Sequence, residues 1–304
     1  MDPIDLIRIN FDEGQRALLN WILAFLMFAV ALDIRLEDFK LLLKNPKIIL
    51  VALSSQLILL PIMTLGLVLL INPAASLALG MILISVCPGG NVSNYMVHIA
   101  KANSALSVTL TTITTLAAIV FTPVAFAFWT GFLDLPPELA TEISVDPSKM
   151  FGVVALIIAV PLAIGLGIRL YFPDFTQKIK KAVGTLALAI FLGFVVFAVL
   201  GNVDNFFQSL TRVFFIVLLH NALGFSLGYF WAKLFKLDNR NARTISIETG
   251  IQNTGLGLII VFNFFGGLGG MALILAWWGI WHLFAGFSLA NFWRKKNEPL
   301  TAPL

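Results

Sequence analysis

Glu248 is the only carboxylate between Thr244 and Trp293, an apolar stretch long enough to cross a bilayer twice. An acid at the centre of a membrane helix costs roughly 2.5–3.5 kcal/mol on insertion scales, so it faces a cavity or a partner and marks an ion or substrate route. Its neighbours Thr249, Gly250, Ile251, Gln252, Asn253, Thr254 and Gly255 bring amides, hydroxyls and two glycines to mid-membrane. That composition is wrong for a lipid-facing helix and right for a broken one that coordinates something. A second run, Cys87-Pro88-Gly89-Gly90-Asn91-Val92-Ser93-Asn94, follows the same logic. Pro88 removes a backbone donor and clashes with the preceding turn. The two glycines let the backbone leave helical angles. Irregular backbone at this depth is tolerated only inside protein or beside a water-filled cavity. Carboxylate, amide, hydroxyl and carbonyl oxygens are the donors a hard cation prefers.

Other polar residues lie in apolar surroundings. They are Gln56, the hydroxyl-rich run from Ser107 to Thr115, the pair His220-Asn221, and His282. Ser107 and Thr111 are four apart and share one helical face. Most of the threonines are expected to bond back to carbonyls of their own helix. His220 and His98 are expected to be packed or interfacial residues, and Cys87 a small packing residue. The Cys87 run read alone could be a Pro-kinked packing helix with small residues at its interface.

The elements that must position these groups are membrane helices. The chain has 304 residues, 59% of them hydrophobic and 12% charged, with a mean hydropathy of +0.94. A soluble domain is nearer 45–50% apolar and about 25% charged. One cysteine excludes an internal disulfide and a multi-cysteine metal site, and three histidines make zinc or haem an unsuitable expectation. The N-terminus lacks the apolar core of a signal peptide. A net charge of +4 gives no ground for a nucleic-acid partner, and nothing points to an obligate protein partner.

Nine segments reach the length of a span, near 17–32, 48–71, 76–100, 104–129, 151–172, 182–202, 211–234, 242–265 and 269–293. Sixteen of the twenty Lys and Arg fall on one side, among them Arg35, Lys40, Lys44, Lys180, Lys181, Lys295 and Lys296. Arg8, Arg16, Lys149 and Arg212 fall on the other. This bias places the C-terminus in the cytoplasm and the N-terminus outside. Spans three and eight are interrupted and run in opposite senses, the pattern of an inverted-repeat transporter whose site lies where they cross. The expected fold is therefore an all-α membrane protein of nine transmembrane helices with two broken, crossing helices.

The motifs CPGGNVSN and ETGIQN, with LSVTLTT after the first and LLHNALGF before the second, resemble the bile acid:sodium symporter family. The resemblance runs from ALDIRLEDFK to WHLFAG and fits the family's nine-span form. It implies a secondary transporter with a core domain of spans 2–4 and 7–9 (about 48–129 and 211–293). Spans 1, 5 and 6 (about 17–32 and 151–202) would form a panel domain. It implies two Na+ ions as coupling ions and no other cofactor. Carried over by position, the first sodium site would use Ser93, Asn94, Ser107, Thr111 and Glu248. The second would use Glu248 again, Gln56, Gln252 and the carbonyls of Thr249 and Ile251. Candidate substrate contacts are Asn91, Asn253 and His282.

One carboxylate shared by two sodium ions leaves residual positive charge, and the positive ends of half-helices add to it. The expected activity is thus sodium-coupled import of an organic anion across a bacterial inner membrane. Asn91 and Leu283 depart from the family pattern, so a smaller acid of the pantoate type is as plausible a substrate as a bile acid. A proton-coupled or exporting carrier of the same architecture is the alternative. An intramembrane enzyme or passive channel is a third reading, for which no Ser/His/Asp set or phosphate loop is present.

Overall fold

The computed structural model describes residues 2–9, 13–34, 45–143, 147–200 and 203–295. Arg35, Lys40, Lys44 and Lys296, counted in the charge bias, lie outside the described residues, as does the end of the segment 182–202. The described residues form helices and turns, with two isolated β-bridges, Arg8 to Leu268 and Gly89 to Gln252. Their order is α1 (Pro3–Leu6), α2 (Glu13–Asp33), α3 (Pro46–Ser54), a π-helical turn (Ser55–Leu59), α4 (Leu60–Ile71), α5 (Ala75–Ser85), α6 (Val92–Ile99) and α7 (Ser104–Thr130). Then follow α8 (Pro137–Ile143), α9 (Pro147–Tyr171), α10 (Pro173–Leu200), α11 (Val203–Leu234), α12 (Asn239–Gly250), α13 (Thr254–Phe264) and α14 (Gly269–Lys295).

Among the described residues, six helical stretches are long and apolar enough to cross a membrane: Glu13–Leu32, Pro46–Ile71, Ser104–Thr130, Met150–Tyr171, Thr211–Leu234 and Gly269–Lys295. Their outer faces carry large apolar side chains such as Trp21, Leu70, Leu156, Phe215 and Phe284, all more than half exposed. In water such a surface would be a liability, whereas in lipid it is the expected one.

The shorter helices α5 and α13 are different. Every residue from Ser76 to Ser85 and from Thr254 to Phe262 is buried. A helix that is apolar on all sides belongs inside the protein. α5 packs on α14, α4 and α7, and α13 packs on α14 and α2. Their interrupted ends therefore face protein, where freed backbone groups find partners.

The interruptions meet each other. Gly90 N–H donates to the Ile251 carbonyl at 3.0 Å, and Asn253 N–H donates to the Pro88 carbonyl at 2.8 Å. A Cβ on Gly90 would lie 2.9 Å from the Gln252 carbonyl oxygen, so no other residue lets the two segments come this close. The second of the new helix starts is then rebuilt locally: the Asn253 side chain caps α13 by accepting from Leu256 N–H at 3.1 Å.

Around this junction, α12 is held by α11. Gly224 and Gly228, one turn apart, face it, and a Cβ on Gly228 would lie 2.6 Å from the Ile245 carbonyl. Small residues at such spacing let helix backbones approach closely. Asp238 caps α12 through Asn241 N–H at 3.0 Å. At the other end of α5, the N-terminal segment is clamped down. Ile9 N–H donates to Gly267 O and Gly269 N–H donates to Ile7 O, both at 2.8 Å. The buried Asp5 carboxylate accepts from Ser76 N–H, also at 2.8 Å.

Candidate functional site

Glu248 sits in the last turns of α12, two residues before the break, and is 1% exposed. Three hydroxyls surround it. Ser93, in the first turn of α6, donates to Oε1 at 2.6 Å. Thr111 of α7 donates to Oε2 at 2.9 Å, and Ser107, one turn earlier on the same face, hydrogen-bonds Oε1. Asn94 closes the group, with its Oδ1 2.8 Å from Ser107 Oγ and 3.5 Å from Thr111 Oγ1. Ser107 has one hydroxyl proton but two acceptors within reach. Among the described residues, no cationic side chain forms an ion pair with Glu248. The carboxylate is offset by hydroxyls alone, and the oxygen set is one a hard cation can enter.

All five residues assigned to the first group in sequence thus come together, from α6, α7 and α12. The structural reason is the junction of the breaks, which seats the start of α6 against the end of α12.

The second set adjoins Gly89. A Cβ there would lie 3.0 Å from Glu248 Oε2, 3.3 Å from Gln56 Nε2 and 3.6 Å from Thr114 Oγ1, so Gly89 occupies a niche made by these three side chains. Gln56 Nε2 donates to Gln252 Oε1 at 3.4 Å, and Gln252 Nε2 donates to the Thr249 carbonyl at 2.9 Å. The Thr249 and Ser55 hydroxyls are 3.0 Å apart. The Ile251 carbonyl accepts from Gly90 N–H and keeps a second lone pair.

Asn91, Asn253 and His282 line one cavity of about 440 Å3, together with Thr111, Asn94 and Gln252 of the oxygen clusters. That size lies in the range of small-molecule sites. Asn91 stands at the N-cap of α6 but makes no capping bond with its side chain. The N-terminal ends of α6 and α13 both border the cavity through Asn91, Val92, Asn253 and Thr254.

Several contributors escaped the sequence reading. The π-helical turn at Ser55–Leu59 turns Gln56 inward; such bulges often mark functional sites. Pro61, just beyond it, was the available signal, since its missing N–H loosens the preceding ladder. Thr114 accepts from Gly89 N–H at 3.2 Å and so steadies the first break. Its signal was the spacing: Ser107, Thr111 and Thr114 recur at i, i+4 and i+7 on one face. Asn221 donates to the Gly250 carbonyl at 2.7 Å, satisfying an acceptor freed at the second break. Lys180 and Lys181 of α10 line the cavity.

The remaining polar residues keep local roles. Thr109 and Thr112 donate to carbonyls four residues back. His220 Nε2 is 2.7 Å from Thr64 Oγ1, and its ring stands edge-on to Trp278. Cys87 is buried in the apolar core.

The family model described as Sodium Bile acid symporter family matches residues 21–209. This chain belongs to the sodium bile acid symporter family. The chain is 35% identical over 278 residues to the uncharacterized sodium-dependent transporter YocS of Bacillus subtilis, covering 90% of this chain and 82% of that one. It is 32% identical over 282 residues to the probable sodium/metabolite cotransporter BASS2, chloroplastic, of Oryza sativa, covering 91% of this chain and 64% of that longer one. Human P3 protein is 28% identical over 228 residues, with 75% of this chain and 47% of that one covered. Membership of a sodium symporter family, together with six apolar helices of spanning length, makes this a multi-pass membrane transport protein.

Proposed function

We propose that this chain is a sodium-coupled symporter that imports an organic anion by alternating access. The observation that carries this reading is the Glu248 carboxylate, buried and ringed by Ser93, Asn94, Ser107 and Thr111 where two helix breaks meet. A first sodium ion would take those five residues as ligands. A second would take Glu248, Gln56, Gln252 and the carbonyls of Thr249 and Ile251. Gly89 supports this pairing, because the niche it leaves open touches both Glu248 and Gln56.

Charge bookkeeping then selects the substrate. Two monovalent cations on one carboxylate leave a net positive charge at the wall of the cavity. The N-terminal ends of α6 and α13 add partial positive charge there. An organic anion fits, with Asn91, Asn253 and His282 as its contacts.

The same reading assigns nine spans, the interrupted pairs α5/α6 and α12/α13 being the two that cross. The core would comprise about 48–129 and 211–293, and the panel about 17–32 and 151–202. The packing of α2 on α9 and α10 supports such a panel. The N-terminus is placed outside and the C-terminus in the cytoplasm of a plasma membrane.

Proteoliposome uptake decides the matter. Accumulation of a radiolabelled organic acid should require an inward sodium gradient and vanish when potassium replaces sodium. Uptake that follows a proton gradient at fixed sodium, or ignores both ions, would sink the proposal.

A further inference from the structure

We infer that Asn103 and Thr244 are positioning residues for the first ion, holding α7 and α12 in the register that brings Ser107 and Thr111 onto Glu248. This rests on the proposed function and deepens it by naming what fixes the ligands. Asn103 N–H donates to Thr244 Oγ1 at 2.9 Å, and the Asn103 carbonyl lies 3.3 Å from the same hydroxyl. Four residues further along each helix, Ser107 hydrogen-bonds Glu248. The two contacts lie one turn apart on both helices, so α7 and α12 run here side by side, in the same sense and in step. A slip of one residue along either axis is about 1.5 Å. A built metal site holds its distances to about 0.2 Å, so register decides whether these oxygens can share an ion.

The clasp extends beyond that pair. Asn103 Nδ2 donates to Asn241 Oδ1 at 2.9 Å, and Asn241 Nδ2 donates to Asp238. Asn103 Oδ1 caps α7 through Leu106 N–H at 3.1 Å, and Asp238 caps α12 through Asn241 N–H at 3.0 Å. The caps of the two helices are thus tied to each other as well as to their own first turns. Capping alone needs neither the bond from Asn103 N–H to Thr244 nor the one from Asn103 Nδ2 to Asn241. Thr244 and Asn241 are buried, so bulk water does not replace a partner lost there. α6, which carries Ser93 and Asn94, reaches Asn103 through a tight turn with Lys101 in the left-handed region at φ 52°. Ala102 N–H closes that turn on the Val97 carbonyl at 3.1 Å. All three helices that bear ligands therefore meet at Asn103. Groups that orient a metal's ligands set its affinity, and losing one costs about 10–100-fold.

Thermal melting across a sodium titration, with potassium keeping the ionic strength constant, tests this alongside sodium-driven uptake. Thr244→Val keeps the shape of the side chain and removes its hydroxyl. It should raise the sodium concentration for half-maximal stabilisation about tenfold or more, with maximal uptake at saturating sodium near wild type. Thr244→Ser, which restores the hydroxyl, should return that midpoint to within about twofold of wild type. Ser246→Ala is the structural comparison: it removes a 2.6 Å bond to the Phe225 carbonyl that ties α12 to α11 instead of α7. It should melt lower in potassium with its sodium midpoint unchanged. If Thr244→Val does not fold, Asn241→Ala should show the rise, since it loses its side-chain bonds but keeps the backbone cap from Asp238. A wild-type midpoint in Thr244→Val, a rise matched by Ser246→Ala, or one that Thr244→Ser does not relieve overturns this inference alone. Wild-type protein that gains no stability from sodium overturns the proposed function, and this inference falls with it.

Discussion

Ser93 and Glu248 stand 155 residues apart in sequence and share a hydrogen bond of 2.6 Å. One lies just after the first helix break and the other just before the second. Their contact couples the two halves of the chain through the one carboxylate that is buried at the junction among the described residues. A cation bound between them would hold both breaks at once, which is how ion binding can organise a substrate site beside it.

Replacing Glu248 by Gln should abolish sodium binding while leaving the fold intact, because the amide keeps the shape and can still hydrogen-bond. Wild type should melt at higher temperature in sodium than in potassium. The gain corresponds to about 2.7 kcal/mol when sodium is roughly a hundredfold above its Kd. The variant should show no difference between the two salts. Retained sodium stabilisation would remove Glu248 from the ion site.

Thr111→Val and Thr109→Val make a matched pair on one helix. Thr111 donates to Glu248 at 2.9 Å, whereas Thr109 donates to the Ala105 carbonyl of its own helix at 2.8 Å. Losing a hydrogen bond to a charged group costs about 1.5–3 kcal/mol, so Thr111→Val should raise the sodium concentration for half-maximal uptake about tenfold or more. Thr109→Val should leave it within about twofold, the net cost of a neutral bond being about 1 kcal/mol or less here. Equal effects would show that position along α7, not contact with Glu248, matters.

Gly90→Ala should destabilise the protein in either salt. Its Cβ would stand 2.9 Å from the Gln252 carbonyl, forcing apart backbones joined by the Gly90–Ile251 and Asn253–Pro88 hydrogen bonds. Overpacking of this kind costs about 1–3 kcal/mol. Gly66→Ala, where a Cβ meets nothing within 4 Å inside α4, is the comparison and should be neutral or stabilising. Thermal melting in potassium distinguishes them.

Asp5→Ala should lower the melting temperature without touching sodium binding. Asp5 is buried and its carboxylate accepts from Ser76 N–H in the first turn of α5, the place where an acid is also stabilised by the positive end of the helix dipole. Loss of such a cap costs about 1 kcal/mol, up to about 2. A variant that melted normally but lost its sodium response would tie the N-terminal segment to transport instead of stability.

The residues by themselves determined the membrane setting, the two interruptions and the acid. Those are local properties: apolar length, Pro88 with two glycines, and Glu248 with amides and glycines around it each impose their consequence on their own stretch of backbone. Ser107 and Thr111 were also readable, since helical spacing alone puts them on one face. Only the tertiary structure decided which oxygens meet. The distance from Ser93 to Glu248 depends on the rotation and depth at which α6 and α12 pack, and both are set by backbone contacts such as Gly90 on Ile251 and Gly228 on Ile245. Gln56 turns inward through a π-helical turn that no periodicity announces. Lys180 and Lys181 read in sequence as charges marking one side of the membrane. Packing α2 against α10 is what brings them to the edge of the cavity, because only the arrangement of neighbouring helices decides which faces border a common space.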